Sequence, residues 1–278
     1  MSVLTFTLIV FFGACCAGLV GALTGLGGGV IIIPLLMYLG VDFRYAIGTG
    51  LIAVIATSSG SAAAYVREGV TNMRIGMFLE IATTIGAVIG ALMVTLQIIP
   101  TTVVAVIFGL ILIFTAINSF LKKTELVVEK SSPLAEKLKL HGTYPTPAGK
   151  IAYGVKNVVG GFFMMMLAGV LSGLLGIGSG AMKVIAMDNI MHIPFKVSTT
   201  TSNFMIGVTA AAGAFIYLER GYIDPRLCLP VVVGVLLGAI SGAKILLKTN
   251  TRNLRTVFAV IILLVAVNMI YRGFTGKI

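Results

Sequence analysis

With 278 residues, only 10% of them charged, and a mean hydropathy of +1.08, the chain is excluded from ordinary soluble domains, which carry roughly 25% charge. Apolar runs of the length a bilayer crossing needs, about 20 residues, consume nearly the whole chain and leave no soluble region for a separate catalytic domain. The net charge of +11 comes from lysines and arginines in short connections between those runs, which speaks against a nucleic-acid surface and for the basic bias of cytoplasmic loops.

The first apolar segment runs from about Val3 to Leu23 and reads as a membrane segment, since Met1 to Val20 has no basic start and is too long for a cleaved signal. Gly25-Leu26-Gly27-Gly28-Gly29 then interrupts it, and a short run, Val30 to Leu39, follows. A long segment covers Tyr45 to Val66, closed by Arg67-Glu68-Gly69, and another covers Ile75 to Ile99 before Pro100. The next, Thr102 to Leu121, gives way at Lys122-Lys123 to the one long polar stretch, with six lysines against three glutamates and an interfacial helix at most over Leu134 to Leu140. The second half offers Ile151 to Leu175, a break at Gly176-Ile177-Gly178-Ser179-Gly180, then Ala181 to Ile190, Val197 to Leu218, Leu227 to Leu247 and Leu254 to Tyr271. Cys15, Cys16 and Cys228 lie in or beside apolar segments without metal-ligand spacing and read as packing residues.

The halves match in register. A shift of 151 carries Gly18, Gly25, Gly27 and Gly29 onto Gly169, Gly176, Gly178 and Gly180. After one insertion, a shift of 152 pairs Phe43 with Phe195, Tyr65 with Tyr217, Gly69 with Gly221, Arg74 with Arg226, Gly86 with Gly238 and Gly90 with Gly242. Glycine and polar landmarks in register indicate a duplication, and Gly86/Gly90 with Gly238/Gly242 have the GxxxG spacing of close helix contacts. With a cytoplasmic linker, a parallel repeat would put the basic Lys248, Arg252, Arg255 connection outside. An inverted repeat puts it inside and leaves the charge-balanced Glu219 to Arg226 turn outside. The fold expected is therefore an all-α polytopic membrane protein of two inverted repeats, each with a glycine-broken helix: eight long segments plus two short ones. The divisions are 1–121 for the first transmembrane repeat, 122–150 for a polar cytoplasmic linker and 151–278 for the second.

Inverted repeats with broken helices bring half-helix N-termini to mid-membrane, where partial positive charge and free N–H groups suit a small anion. The backbone around Gly27, Gly28, Gly29 and Gly178, Ser179, Gly180 is the candidate cradle, against the alternative that the glycines serve close helix packing. Downstream lie Gly48-Thr49-Gly50 and the six polar residues Ser198 to Asn203, of which Thr49, Thr200, Thr201, Ser202 and Asn203 are candidate donors. Lys183 sits three residues past a break inside an apolar run, where a cation needs a counter-anion: the substrate, or Asp188. Glu80, the acid well inside a long segment, is a candidate for proton coupling or for pairing with a neighbour. Thr57, Ser58, Ser59 and Ser61 read as helix-packing residues. His141 and His192 have no metal-like neighbours, and no cofactor is expected. No HExxH, no GxSxG and no paired carboxylates on one segment point to an enzyme.

Gly25-Leu26-Gly27-Gly28-Gly29 followed by Pro34-Leu35-Leu36, then Ala46-Ile47-Gly48-Thr49, then Tyr65 and Gly69, resembles the TauE/SafE family over nearly the whole chain. The resemblance implies a multi-spanning inner-membrane permease, an exporter of sulfite or of small sulfur-containing organic anions such as sulfoacetate. The second half departs from the pattern. Ser179 stands for a glycine, no proline follows near Ile185, and Lys183 replaces an apolar residue, all where the ligand is expected. The function expected is secondary transport of a small sulfur oxyanion or organosulfonate by alternating access in the plasma membrane. An anion channel or sensor, or a permease for another small anion, is the alternative. Expected partners are the anion and the lipid bilayer, with no nucleic acid; a homo-oligomer stays open, with no interface singled out.

Overall fold

The computed structural model describes residues 3–95, 130–146, 149–175 and 178–250, with scattered positions between 106 and 117 and between 253 and 271. Five of the described helices are long and apolar enough to cross a membrane, and all five fall on segments expected from the sequence. Most of the expected segments Thr102 to Leu121 and Leu254 to Tyr271, with Pro100, Lys122, Lys123, Gly176 and Ile177, lie outside the described residues.

Helix α1 (Val3–Thr24) carries no charge and ends where Gly25 and Gly27 take φ of +74° and +78°, a left-handed backbone open to glycine and strained for other residues. Helix α2 (Gly29–Tyr38) restarts the chain, and α3 (Phe43–Arg67) begins where the Asp42 carboxylate accepts the Arg44 N–H at 2.9 Å. Helix α4 (Met73–Thr95) is opened by Asn72, whose Oδ1 accepts the Ile75 N–H at 3.1 Å.

The polar stretch holds more structure than expected. A short helix α5 (Pro133–Lys137) leads into strand β1 (Gly142–Thr146), which pairs antiparallel with β2 (Gly149–Tyr153). Ile151 to Tyr153, expected to open a membrane helix, therefore belong to a hairpin, and helix α6 spans Val158–Leu175. The apolar side chains of this stretch explain the difference: Ala135, Leu140, Tyr144 and Tyr153 are buried in one cluster with Ile75, Leu79 and Val158 at the helix ends. After the second break come α7 (Gly180–Ile185), continued by a π turn over Ala186–Ile190, then α8 (Phe195–Glu219) and α9 (Pro225–Lys248), whose first turn Asp224 caps through the Arg226 N–H.

Glycine sets the close helix pairs. A Cβ on Gly86 or Gly90 of α4 would stand 2.2 or 2.1 Å from the Met166 or Val170 carbonyl oxygen of α6; one on Gly169 or Gly173 of α6 would stand 2.2 or 2.1 Å from that of Thr83 or Ala87. In the same way Gly234, Gly238 and Gly242 of α9 lie against Phe11, Cys15 and Leu19 of α1, and Gly18 against Val235. Residue numbers rise together in both pairs, so α1 runs parallel to α9 and α4 parallel to α6. Helices α3 and α8 are antiparallel: Gly213 lies against Leu51, while Ser58 Oγ donates to the Asn203 carbonyl at 2.7 Å.

These directions separate two ends. The N-terminus of α3 meets the turn after α8, where Arg44 donates to the Tyr222 hydroxyl at 2.9 Å with its guanidinium 5.4 Å from the ring centroid. The C-terminus of α3 meets the start of α8 and the end of α9: Glu68, Val70, Lys196 and Leu247 to Asn250 line a cavity of about 290 Å³ with Tyr144 to Thr146 of the hairpin. At about 1.5 Å per residue the 25 residues of α3 span about 37 Å, a bilayer's thickness, between the two ends.

Candidate functional site

The two glycine breaks meet. A Cβ on Gly180 would fall 1.9 Å from the Gly25 carbonyl oxygen and 2.6 Å from Leu26 Cα, so the backbones touch where neither residue has a side chain. Gly27 and Gly178, both at positive φ, face the Val54 side chain from the two breaks. Ser202 ties the crossing together: its hydroxyl donates to the Gly25 carbonyl at 2.9 Å, with the Gly180 carbonyl at 3.3 Å. Helices α2 and α7 start here, so the first-turn amides from Gly29 and from Gly180 have no acceptor within their own helices.

Most of the polar run on α8 is spent on packing. Ser198 donates to the Ile193 carbonyl, and the single Thr200 hydroxyl proton is shared among the carbonyls of Lys196 at 3.0 Å, Val197 at 3.1 Å and Val70 at 3.3 Å. Thr201 accepts the Asn72 N–H at 3.1 Å, and Asn203 Nδ2 donates to the Ala22 carbonyl at 2.8 Å, beside the Tyr65 hydroxyl on that same oxygen. The Gly28 N–H, a candidate anion donor, is taken by Thr57 Oγ1 at 3.0 Å. Thr57, read from the sequence as a packing residue, thus holds a break in place. Thr49 lies elsewhere: it is more than a turn along α3 from Val54, with Cys228 Sγ 3.9 Å from its hydroxyl, so the structure does not bring it to the breaks.

Three buried oxygens on the segments at the crossing have no partner among the described residues: Ser179 Oγ, Thr199 Oγ1 and Asn203 Oδ1. Ser179 is at φ +47° and precedes α7 without capping it. Thr199, in the expected polar run but outside the set chosen as donors, meets Gly25 through its backbone oxygen and methyl group. An unpaired buried polar atom costs about 1–3 kcal/mol, so three on converging segments are a cost that a polar ligand would offset.

Lys183 and Glu80, two separate signals in the sequence, form one unit. Lys183 is fully buried, and its Nζ lies 3.5 Å from Glu80 Oε2. Thr209 bridges them: its hydroxyl accepts from Lys183 Nζ and donates to Glu80 Oε1, which also accepts from Thr84 at 3.2 Å. The counter-anion of Lys183 in this structure is therefore Glu80 of α4, not Asp188. Thr209 was not singled out from the sequence, because a threonine 26 residues past the lysine gives no signal until α8 folds against α4 and α7. No group of three or more His, Cys, Asp or Glu that could hold a metal occurs among the described residues.

Five helices long and apolar enough to cross a membrane, with two buried breaks that meet, fit a multi-pass membrane protein; its family makes it a membrane transporter, not an enzyme. The chain belongs to the TauE/SafE family: the family described as "Sulfite exporter TauE/SafE" matches residues 10–269. It is 30% identical to the probable membrane transporter protein YunE of Bacillus subtilis (strain 168) over 97% of this chain and 99% of that one. Identity is 28% to YdhB of the same organism, covering 82% and 85% of the two chains, and 22% to YfcA of Escherichia coli (strain K12), covering 95% and 89%; both are also described as probable membrane transporters. No solved structure matches the chain.

Proposed function

We propose that the protein is a secondary transporter that exports a small anion, sulfite or another sulfur oxyanion or organosulfonate, by alternating access at the crossing of two inverted repeats. The observation that carries the reading is the meeting of the two glycine breaks, with first-turn amides and the unpartnered oxygens of Ser179, Thr199 and Asn203 on the segments that meet. Candidate ligands of the anion are the amides at Gly29 and Gly180, the hydroxyls of Ser179 and Thr199, and Lys183 one turn further on. The sulfur chemistry rests on the family description.

Helix directions support the inverted duplication. Under the register shift α3 corresponds to α8, α4 to α9 and α1 to α6. Helix α3 is antiparallel to α8, while α1 runs with α9 and α6 with α4, so that each corresponding pair points in opposite directions. The glycine contacts also correspond: Gly86 on Met166 matches Gly238 on Cys15, and Gly18 on Val235 matches Gly169 on Thr83. The end bearing Arg67, Arg74, Lys196, Lys248 and the hairpin is strongly basic, which supports a cytoplasmic position for it and for the polar linker, here taken as 122–150 between repeats 1–121 and 151–278.

Purified protein reconstituted into vesicles tests the function. Saturable counterflow of sulfite, thiosulfate or sulfoacetate, competed by the others and not by choline, is the expected result. Single-channel currents, or no anion flux from folded protein, would overturn it.

A further inference from the structure

We propose that Glu80 is a tethered stand-in for the transported anion: Lys183 alternates between Glu80 and the substrate, and Glu80 takes up one proton when the substrate replaces it, so that proton and anion move together. This inference rests on the anion-transport reading above and adds its coupling step.

Geometry assigns the parts. Lys183 lies four residues after Ser179, and its N–H donates to the Ser179 carbonyl at 3.1 Å, so its side chain leaves α7 on the face of Ser179, one turn from the break. In the proposed exchange a change of rotamer carries the amine from Glu80 towards the crossing. Its present hold is not a tight ion pair. The direct contact to Glu80 is 3.5 Å, longer than the 2.7–2.9 Å usual for charged hydrogen bonds, and Thr209 bridges the rest. Thr209 and Thr84 would keep the carboxyl in place when the amine leaves, because a hydroxyl can donate to a carboxylate or accept from a carboxylic acid.

Charge balance requires the proton. An amine at this depth is costly without a counter-charge, and so is a carboxylate left behind without its amine. When the anion takes Lys183, the stranded Glu80 is neutralised by protonation; when the anion leaves, Glu80 loses the proton and reclaims Lys183. Of the two, Glu80 is the less enclosed, its side chain retaining 10% exposure against 0% for Lys183, and in the proposed exchange it takes the proton. Other groups that titrate are few on the elements packed here. Helix α6 has none over Val158–Leu175. Helix α4 otherwise carries Arg74 at its start, α8 carries Lys196, Tyr217 and Glu219 near its ends, and the π turn after α7 carries Asp188.

The test is calorimetry of thiosulfate, which does not itself titrate near neutral pH, in buffers of different ionisation enthalpy. Where thiosulfate does not bind, sulfite is used with its own ionisation subtracted. Wild type is expected to take up close to one proton per anion bound, its affinity falling by up to about tenfold per unit rise in pH. Glu80→Gln, which keeps the hydroxyl contacts, should bind with no proton uptake, at one affinity across pH and at least as tightly as wild type. Lys183→Met should lose binding. Wild-type binding without proton uptake, or Glu80→Gln retaining it, overturns the coupling step and leaves anion transport standing. Absence of binding by either anion to folded wild type and folded Glu80→Gln overturns both.

Discussion

Gly180→Ala is the sharpest structural perturbation the crossing allows. The added methyl would lie 1.9 Å from the Gly25 carbonyl oxygen, 2.6 Å from Leu26 Cα and 2.8 Å from the Gly25 carbonyl carbon, all backbone atoms that no side-chain rotation can clear. Restoring even a 3.0 Å contact requires the two breaks to part by about 1.1 Å, which stretches the Ser202 hydroxyl off one or both of the carbonyls it bridges. Overpacking of this kind costs about 1–3 kcal/mol, and a lost hydrogen bond about 1 kcal/mol more. The sum, about 2–4 kcal/mol, corresponds to a fall in Tm of roughly 3–7 °C for a chain of this size. Gly213→Ala is the control: its methyl would sit 3.7 Å from the Leu51 side chain, an ordinary contact inside a helix where alanine is favoured. Thermal unfolding in detergent and counterflow in vesicles should show Gly180→Ala impaired in both and Gly213→Ala near wild type. Equal behaviour of the two would refute the crossing of the breaks.

Other expectations follow from the same contacts. Lys183→Met leaves the Glu80 carboxylate buried without its cation and should destabilise by about 3–5 kcal/mol, most of it recovered in the Glu80→Gln/Lys183→Met double variant; a double-mutant cycle of thermal unfolding measures the coupling. Single cysteines at Arg67 and Glu219 should label from opposite sides of the membrane, and labelling from one side would sink the inverted arrangement. Asn72 holds the hairpin by donating to the Leu140 carbonyl at 3.0 Å and the Tyr153 hydroxyl at 2.8 Å, so Asn72→Ala should expose strands β1 and β2 to protease while the membrane helices stay protected. Burial pushes the Tyr153 phenol from 10 up to about 12. Because the folded form holds this proton more tightly, its share of stability is complete below pH 10 and is lost as pH rises towards about 12; Tyr153→Phe should abolish that alkaline transition.

What could be read from the sequence was whatever repeats along the chain or costs energy by its composition. Gly25 to Gly29 and Gly178 to Gly180 announced themselves because glycine in a long apolar run disrupts helix, and Lys183 and Glu80 because charge in such a run demands a partner. Their mutual pairing was illegible: it depends on α4 lying beside α7, 103 residues away in sequence, and on Thr209 arriving from α8. The hairpin was hidden by composition. Its lysines and prolines signal a polar linker, while the apolar side chains that seat it, Leu140, Tyr144 and Tyr153, are too scattered to register as a segment.

The polar run Ser198 to Asn203 shows how few members of a polar run on a helix share one face. Six consecutive polar residues look like one ligand shell, yet an α-helix sends them in all directions, about 100° apart, and only part of them can face any one site. Four hydroxyls or amides are bound to backbone atoms: Ser198 at the helix start, Thr200 and Thr201 to the turn before α4, Ser202 to both breaks. Asn203 is divided, its amide on Ala22 and its oxygen without a partner among the described residues, as is the Thr199 hydroxyl. The run thus joins two tasks on one turn of helix, since Thr201 links the crossing to Asn72 and through it to the hairpin. A displacement of α8 against the α3–α4 turn would break the Thr201 contact to Asn72, which would report it. Thr201→Val, which keeps the shape and deletes the acceptor for the Asn72 N–H, should loosen the hairpin as Asn72→Ala does while leaving anion binding intact. Hydrogen exchange at Asn72, read beside thiosulfate affinity, separates the two effects: a loss of affinity with unchanged exchange would place Thr201 in the binding site instead.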